Sequence, residues 1–119
     1  MALSSSVSFA DLSVFQKAIW QVFAPIEEWH TKDVQYEFVF DTANNQYQVY
    51  MQGWRGNQRL YGTLIHIAIR NGLIWLEENN TEIEVADQFL SFGVPKDKIV
   101  LSFHPPAHRS AEGFATGES

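Results

Sequence analysis

Three histidines and four glutamates are the residues of this 119-residue chain with the most chemistry in them. His66 falls inside an apolar run, while His104 and His108 lie near the C-terminus. Imidazole together with carboxylate can hold zinc or iron, but such sites have recognisable ligand spacing. The chain has no HExxH, no HxH and no paired-aspartate motif, and it has no cysteine. Each histidine therefore reads as structural, and the isolated protein is expected to carry no stoichiometric metal. Glu77, Glu78, Glu82 and Glu84 form an acidic cluster ahead of a helical stretch. Paired carboxylates can do acid–base work or hold magnesium; at a helix start they more simply complement the dipole. The serines have no GxSxG context, and no glycine-rich loop could cradle a phosphate. By these residues the chain is not an enzyme and needs no cofactor.

The elements that position them are legible in the period of the apolar residues. The run from Leu60 to Trp75 contains Asn71-Gly72 between two β-branched and aromatic arms. That is a hairpin signal, because a type I′ turn needs positive φ at both central residues. Simple alternation puts Tyr61, Ile65, Ile67 and Ile69 on one face and Leu60, Leu64, His66 and Ala68 on the other. Ile74 and Leu76 oppose Leu73 and Trp75. Apolar on both faces, this hairpin belongs in the middle of a sheet. Val34–Phe40 and Gln46–Trp54 alternate as two further strands, joined by turn residues at 41–45 and 55–59, giving a four-stranded antiparallel meander.

Helices flank it. Leu12, Phe15, Ile19, Val22, Phe23 and Ile26 repeat at three and four, with Ser8 as N-cap, Asp11 in the first turn and Pro25 stopping or kinking the helix. Trp20 and Trp29 extend its stripe onto the sheet. Thr81 to Glu84 has capping-box form, predicting a second helix from Glu82 to about Phe92 that buries Ile83, Ala86, Phe89 and Leu90. Gly93 suits its C′ position and Pro95 blocks continuation. Ile99–Phe103 is a short fifth strand ended by Pro105-Pro106. The fold class is α+β, in one domain spanning 1–119, with residues 1–8 frayed and 107–119 a tail.

At 45% hydrophobic and 14% aromatic residues the chain can build a core without staples. Absence of cysteine points to a reducing cytoplasm; no basic segment precedes an apolar run as in a signal peptide, and no run is long and apolar enough for a membrane span. The formal net charge is −6. Arg55, Arg59, Arg70, Lys96 and Lys98 are scattered rather than striped, so autonomous nucleic-acid binding is not expected. An acidic chain instead suits a basic protein partner.

The blocks FDTANNQYQVYMQGW, RLYGTLIHIAIRNGLIWLEENNTE and GVPKDKIVLSFHPP, in this order, resemble the XisI family of cyanobacterial proteins, across roughly residues 34 to 115. The matching positions are Gly53, Trp54, Gly62, His66, Asn71, Trp75, Thr81, Glu82, Gly93, Val94, Pro95, Phe103 and His104. The family's namesake is the fdxN element excision controlling factor. The resemblance implies a non-enzymatic accessory role in programmed DNA rearrangement of the heterocyst kind, beside a site-specific recombinase complex. It also implies a XisH-like protein partner with a nuclease-like fold. Relatives often carry an acidic residue two after the histidine, where this chain has Ala68, so half of any histidine–acid pair is missing. The competing readings are a metal-assisted nuclease component using His66, His104 and the glutamates, and an antitoxin-like neutraliser of the XisH-like partner.

Local structure accounts for several of these positions: Thr81 as a cap, Gly93 as a helix end, Gly62 as close packing over a facing aromatic. Trp54, Phe103, His104, Pro105, Pro106 and Arg109 are left as candidate partner contacts, since aromatics, arginine and rigid prolines are at home in interfaces. Finally, two short helices cannot cover both faces of the sheet. If both pack on one side, Leu60, Leu64, Leu73 and Trp75 (or the opposite set) face water, which predicts a homo-oligomer, most simply an isologous dimer.

Overall fold

Alternation and turn chemistry produce a single five-stranded sheet in the order β1-β2-β3-β4-β5. The computed structural model describes residues 9–117, with side chains from Leu12 onward. The Ser8 cap, the Asp11 dipole contact and the fraying of residues 1–8 lie outside the described residues and side chains. In chain order the elements are α1 (Phe9–Phe23), a 3-10 helix (Ala24–Trp29), β1 (Val34–Asp41), β2 (Gln46–Arg55), β3 (Gln58–Arg70), β4 (Leu73–Asn79), α2 (Val85–Ser91), a 3-10 turn (Lys96–Lys98), β5 (Ile99–Leu101) and α3 (Pro106–Ala111). The first four strands form the antiparallel meander, and β5 joins β4 in parallel. The parallel return is possible because α2 carries the chain back across the sheet, the crossover that two parallel strands require.

The hairpin of β3 and β4 is the centre. Asn71 and Gly72 sit at φ 56° and 75°, the left-handed pair of a type I′ turn. Ile65, Ile67 and Ile69 are buried against Phe15, Ile19, Phe23, Ile26, Val85 and Phe89, so α1, the 3-10 helix and α2 all pack on one face. Pro25 turns α1 into the 3-10 segment at Ala24, as its missing N–H dictates. Trp20 and Trp29 do reach the sheet, edge-on to Phe40 and Tyr36, but both remain about half exposed.

A bulge corrects the facial assignment in β3. Val49 pairs with Ile65 but Tyr50 pairs with Thr63, leaving Leu64 as an extra residue on β3. One inserted residue reverses the faces of everything before it. Leu64 packs against the core, and Leu60, paired with Gly53, shares the helix side. Tyr61 is thrown to the open side, where its ring lies 5.7 Å from Tyr50. The uncovered face is thus mostly polar: Gln46, Gln48 and Gln52 run along it beside His66. Leu60 and Leu64 are not exposed there. Trp75 is, in part, but the chain at Gly117 crosses over it; a Cβ on Gly117 would come within 3.0 Å of the indole.

Three further expectations change. The capping box does not form: Thr81 Oγ1 donates to Asn79 Oδ1 (2.7 Å) and accepts from the Ile83 amide (3.1 Å). Asn79 also holds the Ile83 carbonyl, so this tight turn uses up the cap and α2 starts only at Val85. Leu90 is exposed. The fifth strand stops at Leu101, and the residues expected to form a tail fold into a third helix instead. Pro106 opens α3, and Gly113 at φ 88° closes it, with Phe114 N–H bonded to the Arg109 carbonyl at 3.0 Å. Gly93 closes α2 in the same way, through Val94 N–H to the Phe89 carbonyl at 2.9 Å. Gly62 has nothing within 4 Å of a Cβ placed on it, so it does not serve close packing.

Candidate functional site

The bulge at Leu64 assembles a surface on the open face. Trp54, near the end of β2, pairs with Arg59 at the start of β3, and Gln52 pairs with Tyr61. The Arg59 guanidinium lies 5.7 Å from the Trp54 ring centre and 5.4 Å from that of Tyr61. Tyr61 in turn meets Tyr50. The result is a ladder, Trp54–Arg59–Tyr61–Tyr50, built on regular β-structure with Trp54 and Tyr61 more than half exposed. Sandwiching between two aromatic faces restrains an arginine that is otherwise rotamer-rich. Tryptophan, tyrosine and arginine held rigid on strands are the residue types that dominate protein interfaces. Sequence alone singled out Trp54 and missed Tyr61, Tyr50 and Arg59. In the sequence the arginine reads only as charge, and simple alternation assigns Tyr61 to the core. A signal was present: Arg59 and Tyr61 are two apart, as same-face neighbours on a strand must be.

The corner after β5 is separate from this ladder, with β3 and β4 lying between β5 and Trp54. Phe103 is more than half exposed and packs perpendicular to the His104 ring, 5.0 Å between centres. His104 Nδ1 is 3.0 Å from Glu112 Oε1, across a shallow hollow of about 370 Å³ lined also by His108 and Ala111. Pro105 and Pro106 are exposed and set the start of α3. Arg109 stands apart from its neighbours. It is buried, its Nε donating to the carbonyls of Leu101 (2.9 Å) and His104 (2.8 Å), its Nη2 to Ser102 (3.1 Å) and its Nη1 to Thr116. A guanidinium used in this way holds the C-terminal segment to β5 and is not offered to a partner.

The acid–base candidates are dispersed. His66 Nε2 lies 2.8 Å from Gln46 Oε1 on the open face. Glu77, the extra residue of a second bulge opposite His66 and Ile67, pairs with Arg70 at 3.2 Å and accepts from Ser102 Oγ. Glu78 accepts from Asn80, while Glu82 and Glu84 point to solvent. Ala68, buried, is paired across the strands with Trp75. Among the described residues no three His, Asp or Glu side chains converge as a metal would require. No helix among them is long and apolar enough to cross a membrane.

Comparison with known proteins bears on the family and the fold. The family model described as XisI protein matches residues 10–116. The crystal structure of the fdxN element excision controlling factor XisI from Anabaena variabilis superposes with a TM-score of 0.76 at 27% identity, covering 90% of this chain and 99% of that one. A XisI-like protein from the same organism gives a TM-score of 0.80 at 28% identity, covering 88% and 97%. No protein of curated function matches the chain.

Proposed function

The chain belongs to the XisI family, and from that premise we propose that it is an excision controlling factor, acting in the cytoplasm by binding a protein rather than by catalysis. The similar Anabaena protein is named for control of fdxN element excision; here the same role is carried by a docking surface. The supporting observation is the Trp54–Arg59–Tyr61–Tyr50 ladder. An exposed, pre-ordered set of anchor residues loses little side-chain entropy on binding and so contributes more of its contact energy to affinity. Its partner is a XisH-like protein with a basic surface, which the acidic chain, at a net −6, attracts and orients. The exposed Phe103–Pro106 corner supplies a second, smaller contact.

Co-expression with a XisH-like protein, followed by affinity purification, tests the reading. The two proteins should co-purify, and Trp54→Ala with Arg59→Ala should abolish this without changing the melting temperature by more than a few degrees. Nuclease activity in the purified single chain, lost on His104→Ala, would overturn it in favour of an enzymatic component.

A further inference from the structure

The outer edge of the sheet at β1 carries a short ladder of backbone groups whose geometry fixes what can fill it. Trp54 N–H bonds to the Asp33 carbonyl (3.0 Å), so Asp33 and the odd-numbered residues after it aim their N–H and C=O groups at β2. The even-numbered residues aim theirs outward. At Val34 both outward groups are taken: its carbonyl accepts from Thr31 N–H (2.9 Å) and its N–H donates to Thr31 Oγ1 (3.1 Å). That turn seals the start of the edge. Among the described residues the outward groups of Tyr36, Phe38 and Phe40 have no such partner. The opposite edge, at β5, differs, because Ala115 N–H bonds to the Ile99 carbonyl (3.0 Å) and the C-terminal segment covers it.

We propose that β1 of a second copy of this chain pairs antiparallel with this edge, centred on Phe38, to form an isologous dimer with a continuous ten-stranded sheet. Three open residues at alternate positions have one midpoint. A two-fold axis there sets Phe38 opposite Phe38 of the second copy and Tyr36 opposite Phe40, satisfying all twelve outward groups in six hydrogen bonds. Shifting the centre to Glu37 would leave Phe40 facing the already sealed Val34 and set Glu37 against its own copy, a like-charge pair.

The side chains agree with the same axis. Trp20 sits edge-on to Phe40 at one end of the edge, and Trp29 edge-on to Tyr36 at the other. Pairing Tyr36 with Phe40 brings Trp20 of one copy beside Trp29 of the other, twice. These tryptophans, with Val39 and Phe40, are large apolar side chains left exposed in the monomer. Beside Trp20 and Phe40 lies a pocket of about 380 Å³, lined also by Ala24, Glu27 and Phe38, that an aromatic from the second copy can enter. On the open face Glu37 meets Val39, and Gln35 meets Asp41; no like charges oppose one another. The interface is independent of the excision reading and leaves the Trp54 ladder free.

Sedimentation equilibrium from micromolar to millimolar concentration tests it, with folding of each variant checked by thermal melting. The native chain should approach twice its mass of 13.6 kDa. Val39→Glu puts a carboxylate against Glu37 of the other copy at two symmetric positions, and should raise the dimer dissociation constant by roughly tenfold or more. The double variant Glu37→Lys with Val39→Glu exchanges repulsion for attraction and should restore the dimer. A native chain that stays monomeric, including one whose β1 edge instead takes a strand from a different protein, overturns the proposal. So does a dimer that is indifferent to Val39→Glu, or one that the double variant fails to restore.

Discussion

Arg109 Nε donates to the carbonyl of Leu101 at 2.9 Å, and through that bond α3 is locked to the end of β5. The same guanidinium serves His104, Ser102 and Thr116, so one side chain ties together the end of β5, the corner that follows it and the C-terminal segment. Replacing it by Met keeps the volume but strands several carbonyls without donors. The expected loss is about 3 kcal/mol in urea unfolding. Arg109→Lys should recover less than half of it, because an ammonium is not a planar fork. A loss under about 0.5 kcal/mol for Met would mean that water serves these carbonyls equally well.

Two glycines on the same hairpin should respond oppositely to a methyl group. A Cβ on Gly53 would lie 2.8 Å from the Val34 Cα and closer still to the Asp33 carbonyl oxygen, both backbone atoms that cannot yield. Gly53→Ala should therefore cost about 2 kcal/mol or more. Gly62 has open space at that position, so Gly62→Ala should be neutral or stabilising by about 0.5 kcal/mol, since glycine weakens a strand interior. Paired thermal melts decide it. Equal effects at the two positions would contradict the packing described.

Stability should fall at both ends of the pH scale for identifiable reasons. Burial raises the Tyr47 phenol above its ordinary value of 10.0, against the lowering effect of Gln16, which donates to it at 2.9 Å. A raised folded value means that the contribution is whole below pH 10.0 and is lost as pH climbs through the folded value. Tyr47→Phe should flatten that alkaline limb. Asp41 behaves inversely. The Asn44 side chain and backbone hold its carboxyl below the ordinary 3.8, so its contribution is present above pH 3.8 and lost as pH falls through the lower folded value. Asn44→Ala should return the Asp41 titration, monitored by NMR, toward 3.8.

How much of this was readable in the residues depended on whether the signal was local. The Asn71-Gly72 turn, the stop at Pro25 and the Gly93 helix end are each dictated by one residue's backbone preference, and all three are in place. The two bulges are not local. Leu64 is inserted because β2 and β3 must agree in register over ten paired positions, and no propensity of leucine announces it. That one residue accounts for both the misassigned face of Tyr61 and the missed ladder. Helix α3 was legible after all, with proline at its start and glycine two residues past its end. The Ala, Gly and Ser around it carry no apolar period to mark a helix. Arg109 could not be told from an exposed arginine without knowing where the chain returns.

The ladder makes a prediction about energetic coupling that separates it from a chance row of exposed aromatics. Trp54 and Tyr61 touch the same guanidinium, at 5.7 and 5.4 Å, so each helps to hold Arg59 in position for the other. For binding to the proposed XisH-like partner, Trp54→Ala and Arg59→Ala should each cost more than about 1 kcal/mol. Together they should cost less than their sum, by about 0.5 kcal/mol or more, because the first removal already frees what the second would disturb. Phe103→Ala, on the far side of β3 and β4, shares no partner with Trp54, and its cost should simply add. Arg59→Lys should behave more like Ala than like Arg, since an ammonium cannot stack between two rings. Isothermal titration of the four single variants and the two double variants reads all of these terms. Strict additivity of Trp54 with Arg59 would show that the partner meets them as independent side chains, and the ladder would then have no role as a unit.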